Sequence, residues 1–179
     1  MRKVVAYMLV SLDGVAEDPD QFLFEFDDVM EANLAEVIGT QDTVLLGRAT
    51  YDEWADFWPK SDIQPFADFI NGVRKYVVTS RPLSGGWAPA EAVSGPLEEV
   101  VARAKASTDA DVGVHASITL AQSLLAEGLV DELCLAVGRV LDPVGPRLFA
   151  GLPDLRELEL LEAAPTSTGS VWLRYRCRT

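Results

Sequence analysis

A chain of 179 residues, 49% apolar and 24% charged, carries enough apolar content for one sizeable core, and the expectation is one domain over residues 1–179. Its 28 acidic against 15 basic residues give a net charge of −13, which speaks against nucleic acid or an anionic membrane as partner, since both draw on clustered Lys and Arg. The apolar run at residues 4–10 is too short to span a bilayer and lacks a cleavage pattern, while Cys134, Cys177 and the single His115 form no metal-ligand spacing, so a cytoplasmic protein without a metal is expected.

Residues 3–11 are rich in Val, Ala, Tyr and Leu and suit a strand buried on both faces, ended by the turn signal Asp13-Gly14. Residues 17–21 read as loop. Asp27 and Asp28 then open a helix through Ile38, with Val29, Leu34, Val37 and Ile38 as its apolar side and Gly39 as its cap. A short strand over 43–46 runs into Gly47-Arg48 and a helix carrying Tyr51 and Trp54, stopped by Trp58-Pro59. A short helix over 66–70 closes at Asn71-Gly72.

A third strand spans 74–80, and Arg81-Pro82 ends it; Ser84-Gly85-Gly86 marks a loop. Pro96 opens a helix striped by Leu97, Val100, Val101 and Ala104. A strand over 112–115 leads to a helix over 117–127 with Gly128 as C-cap. The last third changes character: a strand over 131–137, then strands over 157–161 and 171–177 flanking the turn signal at 166–169. In the last strand Val171, Leu173, Tyr175 and Cys177 share one face, and Arg174, Arg176 and Arg178 the other. Alternating strands and helices followed by a hairpin predict an α/β fold with a mostly parallel sheet and an antiparallel edge.

Three strand ends carry residues suited to phosphate. At Leu46-Gly47-Arg48-Ala49-Thr50, a strand turns into a helix through glycine, beside a fixed positive charge and a hydroxyl. Thr79, Ser80 and Arg81 end another strand with two hydroxyls and an arginine, which fits a phosphate monoester. Ala116, Ser117, Ile118 and Thr119 bring a third strand into a helix N-terminus. Each segment by itself is equally well an ordinary strand end, with hydroxyls serving the local backbone and Ser117 a simple N-cap. Together, on one edge of a parallel sheet, they point to a dinucleotide. No Gly-x-Gly-x-x-Gly follows a strand, so a Rossmann domain is not expected. Asp13, at the end of the first strand, is either an acid beside a substrate or an aspartate bonding its own turn. His115 reads as structural.

In order along the chain, Ser11-Leu12-Asp13-Gly14, Leu46-Gly47-Arg48-Ala49-Thr50-Tyr51, Tyr76-Val77-Val78-Thr79-Ser80-Arg81, the stretch Leu124-Leu125-Ala126-Glu127-Gly128-Leu129-Val130-Asp131-Glu132-Leu133, and Pro146-Arg147-Leu148-Phe149 resemble the dihydrofolate-reductase-like family, specifically the reductase domain of riboflavin-biosynthesis deaminase/reductases. The resemblance implies a mixed sheet of about eight strands with flanking helices. It implies NADPH as cofactor, with Gly47, Arg48 and Thr50 near its phosphates, Thr79, Ser80 and Arg81 around the ribose phosphate, and Ala116, Ser117, Ile118 and Thr119 at the pyrophosphate. Asp13 would handle a proton beside the nicotinamide, with Asp27 and Asp28 as further acids near the substrate. A homodimer is also implied. Two departures stand out: the family has a glycine pair or Gly-Ser where this chain has Ala116-Ser117, and the glycine-rich stretch before Pro146 is replaced by residues 138–145 with Pro143 and Asp142.

The zinc deaminase signature that many relatives join to the reductase is absent. The expected activity is reduction of a ribosylaminouracil phosphate at its ribosyl carbon, with reduction of a dihydrofolate, pterin or other heterocycle as the alternative, and a non-catalytic nucleotide-binding homologue as the rival of another class. Lys60, Arg139 and Arg147 are the bases available to hold a substrate phosphate.

Overall fold

The computed structural model describes residues 2–23, 25–84 and 86–177. The order of elements is β1 (Val4–Val10), α1 (Asp28–Gly39), β2 (Gln41–Gly47), α2 (Arg48–Phe57), α3 (Phe66–Gly72), β3 (Arg74–Val78), β4 (Ala90–Val93), α4 (Leu97–Ala106), β5 (Asp111–His115), α5 (Ile118–Ala126), β6 (Glu132–Val137), β7 (Leu158–Pro165) and β8 (Val171–Cys177). The strands form one sheet in the order β4-β3-β2-β5-β1-β6-β8-β7. Every neighbouring pair from β4 to β6 is parallel, and β8 joins β6 antiparallel with β7 outside it. The fold is the mixed, mostly parallel sheet with a C-terminal antiparallel hairpin expected from the residue patterns, with the eight strands that the family resemblance implies.

β1 is unbroken in Val, Ala, Tyr, Met and Leu because both of its faces are covered. Val4, Ala6, Met8 and Val10 face a core closed by Val100, Val101 and Ala104 of α4 and Leu120, Leu124 and Leu125 of α5. Val5 and Tyr7 face a second core closed by Leu34, Val37 and Ile38 of α1, Tyr51 of α2, and Phe66 and Ile70 of α3. Burying one such side chain contributes on the order of 2 kcal/mol, so a strand buried on both faces anchors the sheet from its centre. β1 runs between β5 and β6, with Tyr7 level with His115 and Val10 level with Val137.

Several local expectations are corrected. Met30, rather than Val29, joins Leu34, Val37 and Ile38 as the fully buried side of α1. Gly39 does not cap that helix; it is the last helical residue, and Thr40 ends it in a right-handed conformation with its hydroxyl on the Val37 carbonyl at 2.9 Å. Gly128 does close α5: at φ +70° it donates to the Leu125 carbonyl, and Leu129 N–H reaches back to Leu124. β4 was not anticipated, since Ala-Glu-Ala-Val is too short and polar to signal a strand, and two of its four residues are exposed.

The arginine-bearing face of β8 is covered toward its start and exposed at Arg176. Trp172 lies on it, fully buried, with its ring 5.3 Å from that of Tyr7. Arg174 follows, bound to the buried Glu132 at 2.8 Å, which also takes Lys3 at 2.8 Å. Burial pushes the Glu132 carboxyl up, but these two cations outweigh it and hold the group below the usual carboxylate range. Arg176 pairs with Glu159, and Arg178 lies outside the described residues.

Candidate cofactor and substrate site

Parallel strands deliver their C-terminal ends to one edge, so β2, β3 and β5 release Gly47, Thr79 and Ala116 side by side. Gly47 and Ser117 touch: the Gly47 N–H donates to Ser117 Oγ at 3.0 Å. The bend between β5 and α5 is made by two consecutive residues in the left-handed region, Ala116 at φ +47° and Ser117 at φ +51°. Glycine is the residue that ordinarily takes this conformation, and an L side chain there costs about 1–2 kcal/mol. The chain therefore keeps a glycine-like turn at the position of the missing glycine pair.

That turn sets the start of α5. Its first intrahelical bond runs from Ala121 N–H to the Ser117 carbonyl at 2.9 Å, so the N–H groups of Ile118, Thr119 and Leu120 precede the ladder and carry the positive end of the helix dipole. Ser117 does not cap them; its hydroxyl is used by Gly47. Ile118 packs partly into the α4–α5 core, and Thr119 is exposed.

The arginines behave differently from each other. Arg48 is held by Asp52, one helical turn on, at 2.7 Å, and it also donates to the Pro82 carbonyl at 2.9 Å and to Ser84 Oγ at 3.3 Å. It clips α2 to the loop after β3, and its charge is already met. The i, i+4 spacing of Arg48 and Asp52 is legible in the sequence, and it is the signal that was missed. Arg81 is exposed and forms no ion pair among the described residues, while its N–H donates to Thr79 Oγ1 at 3.2 Å. Ser80 is exposed beside it, and Thr50 sits half-buried in the first turn of α2.

At the end of β1, Asp13 is an ion-paired carboxylate with several donors. Its Oδ1 accepts from Asp142 N–H at 2.9 Å and Ser11 Oγ at 2.8 Å, and its Oδ2 accepts from Arg147 at 2.7 Å. Asp142 N–H, then Arg147, then Ser11 hold the carboxyl far below the usual range. A carboxylate so well supplied with donors is held ionised, the form that accepts a proton and has none to give near neutrality. It also clasps the loop after β1 to residues 140–147, beside the backbone pairing of Val15 with Arg147.

Asp27 caps α1 through Met30 N–H at 3.1 Å and receives both Ser167 N–H and Oγ at 2.7 Å, which lowers its carboxyl as well. Asp28 is exposed in the first helical turn. His115 is buried, with Nε2 2.8 Å from Gln41 Oε1 and rings of Phe66, Phe69 and Tyr7 around it; burial pushes it down to about 3, and it stays neutral. Gly113 makes this pair possible, since a Cβ there would run into the Gln41 side chain and stand 2.9 Å from His115 Nε2. Neither Gln41 nor Gly113 was singled out in the sequence.

The fold is an open, mixed sheet whose loops converge at the carboxyl ends of its parallel strands, with an antiparallel hairpin beyond them. The chain belongs to the RibD C-terminal domain family, whose model matches residues 2–171. It is similar to two uncharacterized proteins of Bacillus subtilis strain 168: YyaP, 24% identical over 97% of this chain and 94% of that protein, and YwjB, 28% identical over 89% of each. Among solved structures, a putative riboflavin biosynthesis protein from Shewanella sp. PV-4 superposes with a TM-score of 0.80 at 17% identity, covering 99% of both chains. A pyrimidine reductase-like protein from Corynebacterium diphtheriae gives 0.69 at 15% identity over 99% of this chain and 92% of that one. Acinetobacter baumannii RibD gives 0.67 at 16% identity, and this chain spans 58% of its length. These likenesses show the fold. Among the described residues no helix is long and apolar enough to cross a membrane, and no group of His, Cys, Asp or Glu is arranged to hold a metal.

Proposed function

We propose that the protein is an NADPH-dependent reductase acting on a small heterocyclic substrate. The observation that carries this reading is the meeting of three strand-end loops on one edge, with the Gly47 turn in the middle, the uncapped start of α5 at one side and the unpaired Arg81 at the other. The N–H groups of residues 118–120 suit a pyrophosphate, and Arg81 with the Thr79 and Ser80 hydroxyls suits a ribose phosphate. Arg48 acts indirectly, by holding the loop that presents Arg81. The glycine-like bend at Ala116-Ser117 turns the helix start toward the edge.

NADPH would supply the hydride. The substrate atom next to the one that takes the hydride acquires a proton, and with Asp13 ionised and His115 sealed in the core, that proton comes from solvent. Asp13 and Arg147 keep the loops around the reacting centre in place. The aminouracil ribotide and the pterin both fit this chemistry and differ in whether a phosphate must be held.

Calorimetric titration with NADPH and NADH tests the reading. Saturable NADPH binding is expected, and Arg81→Ala should weaken NADPH about 10- to 100-fold, the scale of a lost charge-assisted bond, while leaving NADH unchanged. No binding of NADPH at millimolar concentration refutes it and leaves a protein that kept the fold without the cofactor.

A further inference from the structure

Lys75, the second residue of β3, is a buried charge that core packing does not account for. Its side chain is fully inside, and among the described residues no carboxylate pairs with it. The ammonium donates to the Val73 carbonyl at 2.9 Å and the Asn71 carbonyl at 3.4 Å, and it stands 4.5 Å from the centre of the Trp87 ring. An apolar side chain of similar volume would fill this place without drawing an ammonium out of water. What the charge adds is a grip on Trp87.

Trp87 belongs to the crossover from β3 to β4, residues 79–89, the segment that begins with Thr79, Ser80 and Arg81. None of its described residues lies in a helix or strand. Among them, the backbone bond made within the segment runs from Ala88 N–H to the Gly86 carbonyl at 3.0 Å. With so little backbone bonding, side-chain anchors fix its course. At the front, Arg48 donates to the Pro82 carbonyl and to Ser84 Oγ. At the rear, Trp87 is buried, its Nε1 donates to Asn71 Oδ1 at 2.8 Å, and its ring lies 5.7 Å from that of Tyr51. Tyr51 follows Arg48 by one turn of α2, so both anchors tie the crossover to the same helix.

Taking the reductase reading as premise, we infer that Lys75 is a positioning residue for the cofactor: its ammonium on the Trp87 ring fixes the crossover that presents Arg81 to the ribose phosphate. Lys75 touches no ligand and acts through Trp87. A cation over an indole face is held by the ring quadrupole, so it sets the plane of the ring, and the contact strengthens where water is excluded. A purely apolar neighbour would leave the ring freer to slide. The bond from Trp87 to Asn71 then fixes the indole within that plane.

Lys75→Met keeps the volume and removes the charge. In this variant the amides of residues 81–88 should exchange about tenfold faster than in the parent. By calorimetry NADPH should bind about five- to tenfold more weakly, while NADH, which lacks the ribose phosphate, stays within about twofold. Trp87→Leu should do the same, the two changes together should cost no more than either, and Trp87→Phe, which keeps a π face, should restore most of the loss. In the Arg81→Ala background Lys75→Met should leave NADPH affinity unchanged. Unchanged exchange, unchanged NADPH affinity, equal losses for NADPH and NADH, or a loss that adds to that of Arg81→Ala overturns the inference. Should Lys75→Met fail to fold, the Trp87→Leu and Trp87→Phe pair carries the same comparison. A parent that takes up no NADPH rejects the reductase reading itself. Exchange in the free protein then decides the hold on the crossover: faster in Lys75→Met keeps it, and unchanged overturns it.

Discussion

Replacing Ala116 by glycine should stabilise the protein, whereas the same replacement at its neighbour should not. Both residues sit near φ +50°, where a Cβ crowds the following carbonyl at a cost of about 1–2 kcal/mol. Glycine relieves that cost but frees the unfolded chain, which takes back about 0.4–1 kcal/mol, so Ala116→Gly gains roughly 0.5–1 kcal/mol. Ser117→Gly relieves the same strain but removes the hydroxyl that accepts from Gly47 N–H at 3.0 Å, and an orphaned donor costs about 1–3 kcal/mol, so the net result is a loss of up to roughly 2 kcal/mol. Ala116→Val, β-branched, should be worse than either. Urea unfolding at constant slope measures all three; in thermal melts 1 kcal/mol corresponds to about 2–4 °C at this size. An Ala116→Gly protein less stable than its parent would refute the left-handed assignment on which the cofactor turn depends.

Lys75 is fully buried with its ammonium on the Val73 carbonyl at 2.9 Å and 4.5 Å from the centre of the Trp87 ring, and burial pushes it down to about 8. The native state therefore releases this proton earlier than the unfolded chain does, and stability should rise with pH from about 8 to about 10.5; Lys75→Met removes that slope in denaturation curves taken across the range. Gly113→Ala should cost about 1–3 kcal/mol in urea unfolding, because the new methyl displaces Gln41 from His115. Asp13→Asn should speed amide exchange at residues 12–16 and 140–147 without adding or removing an ionisation in any rate profile near neutrality. Because the Asp13 carboxyl is depressed in the folded state, its contribution is present above its ordinary pKa near 4 and fades below that, so parent and variant melting temperatures should converge in acid.

The sheet was legible because its central strands are buried on both faces and written in nearly unbroken Val, Leu and Ala. β4 was not, since two of its four residues are exposed and its partner β3 supplies what its own side chains lack. At β8, alternation separated the two faces without saying which is wet: Trp172 shares the face of the arginines, and a tryptophan two residues ahead of Arg174 is ambiguous until Tyr7 and Glu132 are known to lie opposite. Pattern gives the faces of a strand; only the neighbours say which face is wet.

The site shows the same division more sharply. Strand ends, hydroxyls and arginines could be read in order along the chain, and parallel topology alone was enough to predict that they share an edge. What no residue type announces is whether a charge is already used. Arg48, Arg147 and Asp13 carry the composition of a binding site, and in the folded molecule Arg48 is held by Asp52 and Arg147 by Asp13, which also takes a backbone N–H. Arg81 remains because its strand end has no carboxylate within reach among the described residues. What this edge can hold therefore depends on which charges the fold leaves unpaired, and among the described residues Arg81 is a charge there that forms no ion pair.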